Sequence, residues 1–223
     1  APTGDARPTV LPLHSPVALA TTSSAAAPQT TAQVIYERSD EQEVERLLND
    51  TSLRTSLDFA RRLKGRPYVA ATLEVADPER LVVNLRGLDC ATLVETASAL
   101  AMTRREGKRR FADYCRNLER LRYFDGHVAG YTSRLHYLSF WMADHLRRKT
   151  IEEVVLPTNL TQPLHIDLHY MSRHAESYPM LRNHPERVRE IARLERKYSG
   201  NVGRFIPKKN VDLSRNELGA IHD

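Results

Sequence analysis

Cys90 is the first candidate for chemistry in this 223-residue chain, which contains two cysteines. It follows Asp89, a favoured helix N-cap residue, and begins an apolar stretch to Met102 that predicts a helix buried on several sides. At the first turn of such a helix, unpaired N–H groups and the positive dipole end favour a thiolate and can bind an oxyanion. Local sequence alone supports two interpretations equally: a nucleophile, or a small apolar residue that begins a core helix.

Cys115, the second cysteine, lies in the middle of another predicted helix. Phe111, Cys115 and Leu118 recur at helical spacing and therefore share one face. Nothing in this neighbourhood favours a thiolate, so Cys115 is predicted to belong to the core. Two cysteines this far apart form neither a disulfide framework nor a zinc ribbon.

His165, Asp167 and His169 are candidates for a metal site. If residues 164–169 form a strand, these side chains lie on one face, and two histidines with a carboxylate suit Zn²⁺. Adjacent residues of one strand rarely supply a whole site, however, and the chain has no HExxH motif. A solvated polar face is therefore the preferred interpretation, and no metal or organic cofactor is predicted.

Helices dominate the elements that would position these residues. Residues 1–33 are rich in Ala, Thr, Ser and Pro and are predicted to be disordered, because few large apolar side chains offset the ordering entropy. Residues 34–66 are predicted to be an N-terminal helical segment, and residues 67–223 the main domain.

Apolar spacing predicts helices at 39–48, 52–64, 90–102, 108–121, 135–148 and 185–198. Strands are predicted at 81–85, 151–156 and 204–211.

Composition limits the partners of the chain. A net charge of +5 favours an anionic partner, whether nucleic acid, a membrane surface or the cell wall. Nucleic-acid binding is not predicted, because the basic residues are spread over several helices and the aromatic residues, 7% of the chain, are not interleaved with them.

No stretch approaches the roughly 20 apolar residues that cross a bilayer, so stable membrane insertion is not expected. Residues 15–28 faintly resemble the end of a secretory signal.

Residues 65–68 (GRPY), followed by residues 88–90 (LDC), resemble the G-x-P-Y and D-C signature of NlpC-type papain-like cell-wall hydrolases. The resemblance is closer to the N-acetylmuramoyl-L-alanine amidase-like branch of that superfamily, through four segments in the same order. These segments are 67–74 (PYVAATLE), 88–95 (LDCATLVE), 133–141 (SRLHYLSFW) and 171–174 (MSRH). The resemblance covers the chain from about residue 40 onward.

The resemblance implies roles for individual residues. Cys90 would be the nucleophile, and the hydroxyl of Tyr68 would lie near its thiolate and help to bind the oxyanion or the substrate. Four residues of the third segment would lie near the cleft and contact the sugar or the peptide: Ser133, Arg134, His136 and Tyr137. From the residues alone, the preferred interpretation of Tyr68 is a turn residue. Ser133 as a helix cap, and Tyr137 with Trp141 as a core pair, are interpretations compatible with positions near the cleft.

The resemblance also implies a general-base histidine far downstream of Cys90, on a strand of a small antiparallel sheet. No segment before residue 220 shows that pattern, and residues 220–223 (AIHD) stand where its first strand is expected to begin. We therefore expect a truncated chain with much of the C-terminal sheet missing and little hydrolase activity. His136 could replace the base only if it lies within about 2.6–3.2 Å of the Cys90 thiol, or slightly farther without substrate.

The expected fold is α+β and papain-like, of the NlpC type, and mainly helical in the part covered. The expected reaction is hydrolysis of the amide between the lactyl group of muramic acid and L-alanine, by cysteine acyl transfer. Cleavage within the peptide stem, and binding of an anionic polymer without chemistry, are the alternatives. The expected protein is a monomer that acts on peptidoglycan fragments outside the cytoplasm of a bacterium.

Overall fold

A computed structural model of the chain describes residues 34–153 and 158–210. The predicted disordered tail, residues 1–33, lies outside the described residues. The elements, in chain order, are β1 (Val34–Ile35), α1 (Arg38–Asn49), α2 (Ser56–Arg62), β2 (Leu81–Val82), α3 (Cys90–Arg105), α4 (Phe111–Arg122), α5 (Leu138–Arg147), β3 (Gln162–Ile166), α6 (Tyr170–Arg173), α7 (Pro185–Tyr198) and β4 (Gly200–Phe205). This architecture is rich in helices with small sheets, which agrees with the predicted α+β class.

The strands of the described residues form two separate two-stranded sheets. β1 pairs in parallel with β2, so the start of the described chain is joined to the segment just before Cys90. β3 pairs antiparallel with β4, from Gln162 opposite Phe205 to Ile166 opposite Gly200.

One predicted strand is wrong in position, and two others are described or confirmed only in part. The predicted strand at 204–211 lies earlier, at β4, and Lys208–Asn210 form a 3₁₀ turn instead. Residues 151–153 are not in a strand, and the rest of the strand predicted there lies outside the described residues. The strand predicted at 81–85 is confirmed only at its first two residues.

α1 is attached to the residues after β2 by a buried carboxylate. The N-cap of α1 is Glu37, and Asp40 completes a capping box with it. Asp40 is 1% exposed and accepts hydrogen bonds from the N–H of Glu37 at 3.0 Å and of Leu85 at 2.9 Å. One carboxylate therefore both begins the helix and fixes where it packs.

Three helices are shorter than predicted, and one of them is α4, which begins at Phe111 rather than at residue 108. α2 begins after Thr55, which forms a capping box with Asp58, rather than at residue 52. α5 begins at Leu138 rather than at 135, because the N–H of Leu135 donates to the carbonyl of Arg122 at 2.9 Å and so leaves the helical pattern. The interpretation of Ser133 as the cap of this helix is therefore wrong. α7, by contrast, has the predicted bounds.

Two apolar clusters hold the described residues together. The first lies among α1 to α4 and the β1–β2 sheet, so residues 34–66 share a core with the helix that begins at Cys90. The second lies around α5, α6 and α7. Trp141 of α5 packs against both clusters and joins them. Within the described ranges, no helix has the length and apolar character needed to cross a bilayer.

Candidate active site

Cys90 is the first residue of α3, as the sequence predicted. Asp89 is the N-cap: its Oδ1 accepts from the N–H of Thr92 at 2.8 Å, and its own N–H donates to Thr92 Oγ1 at 2.9 Å. The Cys90 side chain is exposed. The N–H groups of Cys90 and Ala91 have no hydrogen-bond partner among the described residues, so they are available to an oxyanion.

Tyr68 is held beside Cys90 by the backbone. The N–H of Val69 donates to the carbonyl of Leu88 at 3.2 Å, and the N–H of Leu88 donates to the carbonyl of Pro67 at 3.0 Å. Gly87 permits this close approach, since a Cβ there would stand 2.6 Å from Val69 Cγ2. The strand-like contact therefore places residues 67–69 next to the two residues that precede Cys90.

Tyr68 and Cys90 line one surface cavity of about 540 Å³. This volume lies within the range of about 300–1,000 Å³ that is typical of ligand pockets. Tyr68 is 73% exposed, so its ring and hydroxyl are accessible to a ligand. The apolar part of the lining comes from Leu57, Ala60, Leu63, Leu88 and Leu93.

Cationic residues of α2 and of the segment after it also line this cavity: Arg61, Lys64 and Arg66. These cations are not apparent as site residues from the sequence, because basic residues on a helix usually form a solvated face. The signal that could have found them is the position of Arg66 inside the GRPY segment, which puts its neighbours close to Tyr68.

Cys115 differs from Cys90 in every relevant respect. It is 4% exposed and belongs to the first apolar cluster, as predicted. Burial raises the pKa of its thiol to about 12, which opposes formation of the nucleophilic thiolate.

The four polar residues of the third segment are not part of the cavity lining, and three of them bond to their own surroundings. Ser133 Oγ accepts from the N–H of Ala129 at 2.9 Å and donates to the carbonyl of Gly130 at 2.7 Å. The Tyr137 hydroxyl donates to Glu195 Oε1 at 2.6 Å and accepts from the N–H of Met171 at 2.9 Å. These bonds fix turns and helix contacts.

His136 is poorly suited to act as the base. Its Nε2 lies 2.8 Å from the carbonyl oxygen of Tyr131. Burial of the ring, together with the positive charge of Arg134, lowers the pKa of His136 to about 3. A general base works best with a pKa near the operating pH, so the position and the weak basicity both count against this role.

Arg134, the fourth of these residues, is 5% exposed and lies between two carboxylates. Its Nη2 donates to Glu74 Oε1 at 2.7 Å, and its Nε lies 3.3 Å from Glu79 Oε1. Glu79 also accepts from the Tyr123 hydroxyl at 2.9 Å. Burial raises the pKa of Glu79, while the charge of Arg134 opposes that rise. Because Glu74 and Glu79 belong to the segment between Tyr68 and β2, Arg134 anchors that segment.

A second buried ion pair joins α3 to α4. Arg122 Nε donates to Glu95 Oε2 at 2.7 Å, and Arg122 Nη1 donates to the carbonyl of Val82 at 2.6 Å. The final glutamates of the two segments PYVAATLE and LDCATLVE, Glu74 and Glu95, are therefore each paired with an arginine.

The possible metal site is not formed in the described part of the chain. β3 ends at Ile166, so Asp167 and His169 lie beyond the strand that would have aligned them with His165. His169 Nδ1 lies 3.4 Å from Asp167 Oδ2, but no group of three or more His, Cys, Asp or Glu in the described ranges could hold a metal ion.

Comparison with solved structures shows relatives in bacteria. The chain is similar to a Bacteroides fragilis protein described as a candidate xylanase, with 39% identity and a TM-score of 0.60 over 69% of this chain and 66% of that chain. It is also similar to an N-acetylmuramoyl-L-alanine amidase from Bacteroides uniformis ATCC 8492, with 32% identity and a TM-score of 0.58 over 70% and 65% of the two chains. This chain thus spans about two thirds of the length of each.

A Legionella pneumophila protein with 17% identity and a TM-score of 0.53, over 79% of this chain and 67% of that chain, shares the fold. Comparison with curated protein sequences gave no match. A family model matches residues 58–220, which include Tyr68, Cys90 and the Glu74–Arg134 pair. The chain therefore belongs to the AmiA-like family, described as N-acetylmuramoyl-L-alanine amidase-like.

Proposed function

We propose that this chain is a cysteine-dependent cell-wall amidase that hydrolyses the bond between the lactyl group of muramic acid and L-alanine. The family and the Bacteroides uniformis relative support an amidase of this substrate class. The observation that carries the cysteine mechanism is the position of Cys90, exposed at the first residue of α3 and sharing a cavity with Tyr68.

The mechanism follows from that position. The Cys90 thiolate attacks the lactyl carbonyl carbon, a C–S bond forms, and the carbonyl electron pair moves to oxygen. The N–H groups of Cys90 and Ala91 and the Tyr68 hydroxyl donate to this oxyanion. The C–N bond then breaks, and the amine of L-alanine leaves with a proton. Water hydrolyses the thioester to release the lactyl carboxylic acid and the thiol. This chemistry needs no metal or organic cofactor.

The general base of this reaction comes from outside the described residues. Among those residues, the cavity around Cys90 is lined by no histidine, and His136 is a poor candidate. We propose that the described residues alone turn substrate over slowly, while Cys90 still reacts with alkylating reagents. The papain-like NlpC-type fold, a monomeric state and an extracytoplasmic location also belong to this proposal.

Direct contact of the third segment with substrate would compete with bonds that its residues make inside the protein. Ser133, His136 and Tyr137 are half-buried and each has an internal partner. Arg134 is buried in its ion pairs and would act on the substrate only through the segment that it anchors.

Glycoside hydrolysis, suggested by the description of the Bacteroides fragilis relative, fits this cavity poorly. Glycosidases generally use two carboxyl groups that flank the bond. Among the described residues that line the cavity, Asp89 alone carries a carboxylate, and that carboxylate caps α3. An amidase accounts for the exposed thiol, whereas a xylanase leaves it without a role.

Rescue by imidazole tests the proposal, because no histidine of the described residues lines the cavity. The chain is incubated with N-acetylmuramoyl-L-alanyl peptides and increasing imidazole, and the products are identified by mass spectrometry. We expect release of the free peptide amine to rise with imidazole, and Cys90→Ala to abolish it. Cys115→Ser is the control and should cleave, since Cys115 is in the core. Cleavage within the stem would indicate an endopeptidase, and cleavage by Cys90→Ala would remove the nucleophile.

A further inference from the structure

The cavity that holds Cys90 has an excess of positive charge. Three cations line it, Arg61, Lys64 and Arg66, against the single carboxylate of Asp89 among the described lining residues. Because the Asp89 carboxylate accepts hydrogen bonds from Thr92 at the start of α3, it does not neutralise the opposite side of the cavity.

These cations differ in whether they already form an ion pair with an acidic side chain of the protein. Arg66 is paired with Glu43 at 2.6 Å, and Glu43 also binds Arg46. Arg61 and Lys64 are exposed and form no ion pair with any acidic side chain of the described residues. Asp58, one turn before Arg61, directs its carboxylate to the N–H groups that precede α2. Two cations beside the candidate nucleophile are thus available to a ligand.

Helix stability alone does not account for this arrangement. Cations in the last turn of a helix interact favourably with its dipole, by about 0.3–1 kcal/mol. Arg62 occupies that turn as well and does not belong to the cavity lining. Cations on any side of α2 would interact with the dipole equally, whereas Arg61 of α2 and Lys64, just beyond its end, both line the cavity.

We infer that Arg61 and Lys64 form a subsite for a carboxylate of the peptide stem, on the leaving-group side of the scissile amide. This inference rests on the proposed function. In a muramoyl peptide, the lactyl carboxyl is consumed in the amide, so the free carboxylates belong to the stem, beginning one residue beyond L-alanine. The apolar lining from Leu57, Leu63 and Leu93 suits the alanine methyl group, and the cations suit the carboxylate that follows.

A matched pair of ligands isolates this interaction. In both ligands the γ-carboxyl is blocked as a methylamide, as the next residue blocks it in a longer stem. N-acetylmuramoyl-L-alanyl-D-isoglutamate γ-methylamide keeps a free α-carboxylate, and its α-amide carries no carboxylate. Dissociation constants are measured by calorimetry on the Cys90→Ala chain, which does not consume them. We expect the acid to bind roughly 3–10-fold more tightly than the amide, the range for a charge-assisted contact at a partly exposed site. Added salt, at about 0.5 M, should reduce this preference.

Substitutions in the same chain then show whether Arg61 and Lys64 cause the preference for the acid over the amide. The double substitution Arg61→Gln, Lys64→Gln should bind the acid and the amide equally, whereas Arg61→Lys with Lys64→Arg should keep the preference. Arg109→Gln is the matched control, because Arg109 is exposed, unpaired among the described residues and outside the cavity lining. Thermal unfolding of each variant checks that it is folded.

Three results would overturn the subsite. The first is equal binding of acid and amide by the parent Cys90→Ala chain. The second is a preference that survives the double glutamine substitution. The third is displacement of the acid by inorganic phosphate at similar concentration, which would indicate a general anion site. Failure of the proposed function is a separate observation, the loss of Cys90-dependent cleavage in the imidazole assay, so the two failures can be told apart.

Discussion

Replacing Arg134 by methionine should strongly destabilise the protein. Arg134 is 5% exposed, donates to Glu74 at 2.7 Å and lies 3.3 Å from Glu79, so the substitution leaves two carboxylates without their cation. Removal of one partner of a buried ion pair costs about 3–5 kcal/mol of unfolding free energy. Glu74 keeps 19% of its side-chain exposure and can be partly hydrated, so we expect the lower end, about 3 kcal/mol.

The measurement is equilibrium unfolding by urea, supported by the melting temperature. About 3 kcal/mol corresponds to a drop of about 6–12 °C for a chain of this size. Arg147→Met is the control. Arg147 also pairs with two carboxylates, but it is 58% exposed, and its buried partner Asp144 keeps an ion pair with Arg148 at 3.1 Å, so we expect a loss of about 0–1 kcal/mol.

The pH dependence of this loss has a definite sign. Burial raises the pKa of Glu79 in the folded protein, and Arg134 opposes the rise, so removal of Arg134 raises the pKa further. A carboxyl group with a raised folded pKa favours folding while protonated and loses that contribution as the pH rises through the folded pKa. The deficit of Arg134→Met should therefore be smaller near about pH 4 than near about pH 7.

A second substitution separates charge from packing. Glu79→Gln in the Arg134→Met chain removes a buried charge that has lost its partner, so it should restore part of the stability, with a coupling of about 0.5–3 kcal/mol. A loss of unfolding free energy in Arg134→Met no larger than that in Arg147→Met would contradict the prediction. A loss that is the same at both pH values and is unaffected by Glu79→Gln would also contradict it.

Three other predictions concern the cleft. At mildly acidic pH iodoacetamide should modify the exposed Cys90 before the buried Cys115, as read by peptide mass spectrometry; the reverse order would make Cys90 a core residue. Asp89→Ala should lower the unfolding free energy by about 1 kcal/mol through loss of the cap, and an unchanged denaturation midpoint would contradict it. Gly87→Ala should cost about 1–3 kcal/mol by its clash with Val69, and Val69→Ala should recover part of this.

Features set by neighbouring residues were predictable from the sequence. The start of α3 depends on Asp89 and Thr92, three residues apart, and the sequence placed Cys90 correctly. α7 has Pro185 at its first position and a regular apolar face, and its bounds were predicted without error. The burial of Cys115 followed in the same way from helical spacing alone.

Features set by distant residues were not predictable. α5 begins late because Leu135 bonds to Arg122, which is thirteen positions away in sequence and adjacent in space. β4 was misplaced toward residue 211 because its pairing partner is β3, and the apolar residues near Val211 gave a stronger local strand pattern than GNVGRF does. The cationic lining of the cavity was missed since nothing local shows which side of α2 faces the Tyr68 segment.

The buried ion pairs of Arg134 give it a different role from the one that the family resemblance implies. Its segment matches the amidase pattern, which suggested a substrate contact, yet its charge is used inside the protein on Glu74 and Glu79. Glu74 ends the same PYVAATLE segment that contains Tyr68, so the ion pair fixes one end of a stretch whose other end lines the cavity. In the proposed function, Arg134 therefore acts without touching substrate, by holding the stretch whose other end places Tyr68 at the cavity.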